Sequence, residues 1–200
     1  MLAVYADACF FPLLRIHDFK QEGHRVEIQF TDQNQNGQLV EKGVVLNEMK
    51  GAMSDPEHIF LHNINENLFS NSCYRFNSGK KSTFCIIFKK GGDPKEIIKL
   101  EYSDVVNFHK KFYHPSNCTF ISYGDMDFTE HLSLLQNNCL AEFSYQEIDS
   151  SIPFETRIKS PKDINKTFKP DLMRDIEKQA KIALVYLCNK SHDVYESFAL

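Results

Sequence analysis

Residues 41–56 read EKGVVLNEMKGAMSDP, and both the fold and the chemistry of the chain turn on how that stretch is wound. At the 3.6-residue period of a helix, Val44, Val45, Gly51 and Ala52 fall within about 60° of Glu48, so the pattern predicts a helix whose apolar face carries a carboxylate. A carboxylate held against apolar neighbours is costly unless a cation, a hydrogen-bond donor or a metal meets it. An internal salt bridge or a place on the rim of the face accounts for Glu48, and so does ligation of a metal. Glu41 lies two turns earlier on the same helix, within about 20° of the same face. SDPE at 54–57 closes this helix and opens the next, since Asp55 can accept from the new turn's free amides and Pro56 suits its first position.

Working outward, residues 2–15 carry apolar groups at helical spacing and stop at Pro12–Arg15. HRVEIQF at 24–30 alternates as a short strand, and TDQNQNGQ at 31–38 reads as a polar loop. The helix after Asp55 carries Ile59, Phe60, Ile64 and Leu68 inward. A further helix is expected over 102–112 with a Ser103 cap, ended by His114-Pro115, and another over 127–138. CTFISYG at 118–124 and AKIALVYL at 180–187 have the composition of buried strands, 159–170 that of a linker, and Ser191 starts a last helix.

Composition narrows the classes. The chain has 200 residues, 42% hydrophobic residues and seventeen Phe, enough to build a core. A net charge of −4 and a pI near 6.1 leave no basic footprint for nucleic acid. No apolar run approaches the roughly 18 residues that cross a bilayer, and MLAVYADACFFPLL has no basic leader. Six cysteines at 9, 73, 85, 118, 139 and 188 lack C-x-x-C spacing, which favours buried thiols over a disulfide framework. His58 and His62 are an i, i+4 pair, but Ile59 stands where a zincin helix has Glu and no further ligand is evident.

GVVLNEMKGAMSD at 43–55 is similar to the third-ligand helix of the presequence proteases, the subfamily of pitrilysin-type zinc metallopeptidases that includes the falcilysins. Four further stretches match in family order: YADACFFPLL at 5–14, FKQEGHRVE at 19–27, the divided SG…GDP between 78 and 94, and FHKKFYHPSNCTFISYGDMD at 108–127. The resemblance runs through residue 140. It implies an α+β half-domain of the pitrilysin and mitochondrial-processing-peptidase kind, an antiparallel-rich sheet with helices packed on one face, truncated here at both ends. Residues 1–140 are expected to be the later part of the catalytic domain, 141–175 a linker, and 176–200 the start of a second homologous domain.

The same resemblance implies Zn2+, held by an inverted H-x-x-E-H helix and a downstream glutamate, the motif's own glutamate serving as general base. Glu48 matches the downstream ligand, and Glu41 is a candidate for supporting it from outside the metal shell. His114, Pro115 and Asn117 match a signature whose role is structural. No H-x-x-E-H occurs in the sequence, so no catalytic residue is assigned and the chain as given is expected to be inactive. The implied partners are short unfolded peptides such as cleaved targeting presequences, enclosed by the two halves of a monomer in the mitochondrial matrix. The rival reading is a non-catalytic homologue acting as a scaffold or partner subunit. The family's continuous SGGDP is interrupted here by KKSTFCIIFKKG at 80–91. An inserted β-hairpin is one account. Gly79-Lys80 and Lys90-Gly91 are also compatible with splice signals, which makes these twelve codons readable as an unspliced intron.

Overall fold

The computed structural model describes residues 1–31, 34–75, 94–190 and 193–198. The interruption at 80–91 lies outside them. Contacts divide the chain into two compact units, one built from Met1–Leu46 and Ile97–Ser151, the other from Asn47–Glu96 and Ile152–Leu200.

In the first unit, α1 (Leu2–Phe10) packs on α7 (Phe128–Asn138), and α2 (Ile16–Glu22) on α6 (Tyr102–Phe112). Ala6 of α1, Leu135 of α7 and Cys139 at the end of α7 are buried. Phe10 and Phe11 reach over to Phe143, with ring centroids 5.8 and 5.3 Å apart. The helix ends follow local chemistry. Asp127 accepts from the Thr129 amide, and α6 starts at Tyr102 with the Glu101 amide donating to Asp104. Ser103 therefore sits inside the first turn of α6 and is not its cap.

Between α2 and α3 (Val44–Ala52) the chain forms an antiparallel hairpin of β1 (Arg25–Thr31) and β2 (Asn34–Lys42). Pairing carries Ile28 opposite Leu39 and Arg25 opposite Lys42, so the polar stretch from Asn34 onward is strand, not loop. Its polar side chains do not prevent this, because the backbone partner is already in place across a two-residue connection. Glu27 ties the charged face of the hairpin together, accepting from Arg25 at 2.6 Å and pairing with Lys42 at 3.1 Å. The Arg25 hydrogen bond, then that of Lys42, hold its carboxyl below the usual carboxylate range.

In the second unit, α4 (Pro56–Leu68) begins as the sequence predicts: Asp55 accepts from the amides of Glu57 and His58, with Pro56 at the first helical position. Its partners are a 3-10 turn at Cys73–Arg75 and the extended tract beyond Ile152. Glu155 caps the turn before it, accepting from the Ser70 hydroxyl at 3.0 Å, the Asn71 amide at 2.6 Å and the Ser72 amide. Lys181 pairs with Glu57 and lies 5.8 Å from the Phe60 ring. The short helices α5 (Pro94–Ile97) and α8 (Val194–Phe198) complete the described elements.

Two expectations need correcting. Residues 118–124 and 180–187 form no ladder among the described residues, and Ile121 and Ile182 are 87% and 93% exposed. A strand needs a neighbour to take its N–H and C=O groups, and neither stretch has one there. The described structure is accordingly mostly helical with one two-stranded hairpin, not an antiparallel-rich sheet. The second correction concerns the thiols. The five described cysteines are free, but only Cys139 is buried, while Cys9, Cys118 and Cys188 are exposed.

Candidate functional site

The helix carrying Glu48 starts later than the sequence suggests. β2 runs through Lys42, and a single residue, Gly43, joins it to Val44 at the start of α3. A side chain at Gly43 would place its Cβ 1.9 Å from the Gly23 carbonyl oxygen, so the two glycine backbones touch and only glycine fits. That close approach is what ends the strand and launches the helix.

Within α3 the buried residue is Leu46, at 0% exposed, whereas Val44 and Val45 remain 43% and 40% exposed. Leu46 and Glu48 are two residues apart and so lie about 160° apart around the helix. The apolar face outlined by Val44, Val45 and Ala52 is thus not the anchoring face: α3 is held through the opposite side, and Glu48 faces out. Among the described residues its carboxylate has neither a hydrogen bond nor an ion pair.

Glu41 does not share that helix face, because it belongs to β2. Its carboxylate lies 3.5 Å from Nδ1 of His24, and Nε2–H of the same ring donates to the Leu100 carbonyl at 2.8 Å. Phe19 stands edge-on to that imidazole at 5.5 Å and contacts Tyr102, whose hydroxyl donates to the Leu14 carbonyl at 2.6 Å. Leu14 is held there at a φ of 40°, a left-handed conformation uncommon for a residue with a side chain. The sequence reading passed over His24. Its signal was the pair of glycines, Gly23 beside it and Gly43 before the helix.

His114 is buried at the corner after α6. Its Nδ1 accepts from the Ser116 amide at 3.1 Å, and Phe143 stands edge-on at 5.0 Å. Pro115 opens a 3-10 turn that ends at Asn117, whose side chain donates to the Phe112 carbonyl at 2.9 Å. Tyr113, His114, Asn117, Cys118 and Phe120 line one wall of an apolar cavity of about 370 Å³ whose other wall is α1. Desolvation by the apolar wall, then the nearby Cys9, pushes the Cys118 thiol up, although the residue remains exposed overall.

No group of three or more His, Cys, Asp or Glu side chains among the described residues is placed to hold a metal. His58 and His62 lie a turn apart on α4 without a third donor. A zinc ion binds three protein ligands at a catalytic site. An open carboxylate oxygen is a chemically suitable zinc donor, but among the described residues no set of further ligands stands with Glu48.

The mitochondrial presequence protease of Xenopus tropicalis is 34% identical over 201 residues, covering 100% of this chain and 18% of that protein. That of Drosophila melanogaster is 39% identical over 199 residues, covering 98% and 18%. The protein HypA of the bacterium Clostridium perfringens is 33% identical over 195 residues, covering 96% and 18%. The chain therefore spans 18% of the length of these relatives. The family described as the peptidase M16 inactive domain matches residues 99–200, just over half the chain. On that match the chain belongs to the M16 peptidases, and it is a homologue of presequence protease.

Proposed function

We propose that this chain is the part of an M16 zinc metalloendopeptidase that contributes the third zinc ligand, Glu48, in an enzyme that degrades short unfolded peptides such as cleaved presequences. The observation that carries the reading is the open carboxylate of Glu48 on α3, opposite the buried Leu46. M16 peptidases are normally zinc-dependent, and a bound zinc polarises the scissile carbonyl and activates water. The chain's own contribution is narrower. Leu46 and Gly43 fix the helix, Glu48 supplies an oxygen donor, and the partly exposed Val44, Val45 and Ala52 offer the surface on which an H-x-x-E-H helix packs. Residues 1–140 then belong to the catalytic domain, 141–175 to a linker, and 176–200 to the start of a second domain. Glu41 supports the ligand indirectly through the strand end.

The test has two arms. The chain alone should retain no stoichiometric zinc after dialysis, because a single carboxylate is too few ligands. In the full-length protein, Glu48→Gln should cost metal affinity while leaving the fold intact, since the change is nearly isosteric and removes only the charge. Zinc held as tightly by that variant as by its parent would refute the assignment.

The names of the relatives support a mitochondrial place, and the bacterial HypA shows that likeness of this degree extends beyond mitochondria. Import of the full-length protein into isolated mitochondria decides it. A second reading, a non-catalytic scaffold or partner subunit, has one observation in its favour: the matching family is described as the inactive domain. Glu48 lies outside the matched residues, which leaves the first reading in place. Chelator-sensitive peptide hydrolysis by the full-length protein separates the two.

A further inference from the structure

We infer that Cys9 and Cys118 form a redox-sensitive pair, a site at which a small-molecule disulfide oxidises two thiols to a cross-link between the end of α1 and the segment behind α6. The inference is independent of the reading of Glu48. Both residues belong to the same compact unit, both are free and exposed, and both line the apolar cavity of about 370 Å³. Two contacts fix their neighbourhood. His109 on α6 donates from Nε2–H at 2.7 Å to the Cys9 carbonyl, one of those that a helix end leaves open. One residue on from Cys9 and two on from Cys118, the rings of Phe10 and Phe120 stand 6.2 Å apart. α6 ends at Phe112, and the 3-10 turn Pro115–Asn117 then delivers Cys118 to that end of α1.

The sulfurs feel each other: after desolvation, Cys9 is what raises the Cys118 thiol. The third thiol of the neighbourhood does not compete. Desolvation first, then Cys118 and Cys9, pushes Cys139 up, but its side chain is 0% exposed and an oxidant in solution does not reach it. The chemistry balances with one co-reactant. One protein thiolate attacks the small disulfide, forming a mixed disulfide and releasing a small thiolate, and the other then attacks the protein sulfur of that bond and releases the second. Two protein thiols are oxidised, one small disulfide is reduced to two thiols, and the protons of the protein thiols end on them. A disulfide needs its Cα atoms within about 7 Å of each other. The segment from Cys118 onward is in no ladder among the described residues, so no ladder holds it back from settling onto α1.

The test incubates the complete 200-residue chain with oxidised glutathione, blocks the remaining thiols, and digests with trypsin and with a protease that cuts after acidic residues, which parts Cys118 from Cys139 at Glu130. The native protein should yield a cross-linked peptide joining Cys9 to Cys118, lighter than its two parts by the two hydrogens lost and abolished by a dithiol reductant. In denaturant the preference should reverse, because the loop 118–139 is far shorter than the loop 9–118 and closure entropy alone favours the Cys118–Cys139 link by about tenfold. Cys9→Ser should leave Cys118 carrying glutathione, and Cys139→Ser should leave the link between Cys9 and Cys118 unchanged. Cys9 and Cys118 each carrying glutathione without joining, or a native pattern of links equal to the denatured one, overturns the inference.

Discussion

RVEIQFT at 25–31 and AKIALVYL at 180–187 have comparable strand-forming composition, yet only the first is a strand. β1 meets β2 across a two-residue connection, so closing the pair costs little chain entropy, and the ladder from Arg25–Lys42 to Thr31–Asn34 forms locally. Residues 180–187 have no such neighbour among the described residues, and Ile182, Leu184 and Tyr186 stand in solvent. The hairpin is only half satisfied as well. Val26, Ile28 and Phe30 share a face with Leu39, and all four are more than half exposed. The difference teaches that backbone pairing can be local while packing is not. An isolated two-stranded ribbon is marginal in water, and its apolar face needs a cover just as 180–187 needs a ladder.

The comparison can be broken most decisively by supplying the missing neighbours. In the full-length protein, amide exchange across 180–187 should slow by at least about a hundredfold relative to the chain alone, corresponding to about 3 kcal/mol of opening free energy. Unchanged exchange would mean that composition misleads there and that the stretch is no strand in any context. At the base of the hairpin, Gly43→Ala forces a Cβ onto the Gly23 carbonyl and should cost about 3 kcal/mol, read as a lowered thermal midpoint with β1 amides exposed first. In the ribbon itself, Gly37 sits at a φ of 74° with Ile28 Cγ2 only 2.6 Å from where its Cβ would be. Gly37→Ala should therefore destabilise by about 1–2 kcal/mol, and a neutral result would show that the hairpin contributes little to stability.

Gly51 is the contrasting glycine, with nothing within 4 Å of a built Cβ. Gly51→Ala should stabilise α3 by about 0.5–1 kcal/mol, so two glycines bracketing one helix respond with opposite sign. The smallest effect is a pH dependence in the extended tract that leads to 180–187. Burial pushes the Glu155 carboxyl up, but the amides of Ser72 and Asn71 and the Ser70 hydroxyl outweigh it and hold the pKa below the ordinary value. The folded pKa is lowered, so the stabilisation is complete above the unfolded carboxylate pKa, near 4.3, and is lost as pH falls through the folded value. Proteolysis between 150 and 160 should quicken over that acid range in the parent, and Glu155→Gln should abolish the pH dependence.

Much of this was legible in the residues. Asp55-Pro56 fixed the start of α4, Asp127 the start of α7 and His114-Pro115 the end of α6, because caps and prolines act within one turn and need nothing distant. Five ordered stretches point to the relatives that the comparison finds. Helical phase failed at Glu41 because the pattern cannot tell where a helix begins when a strand runs directly into it.

What the sequence determined by itself was where the capped helices α4 and α7 begin, where α6 ends, and the kinship with the presequence proteases. Only the tertiary structure decided that Gly43 rests on Gly23, that Leu46 and not Val44 or Val45 anchors α3, that Glu41 faces His24, and that two strand-like stretches find no ladder among the described residues. The physical reason is the same in each case. Capping and proline effects are properties of neighbouring residues, whereas burial, ladder pairing and ion pairing are relations between segments far apart in the chain, and a sequence specifies the candidates for such relations without specifying which of them meet.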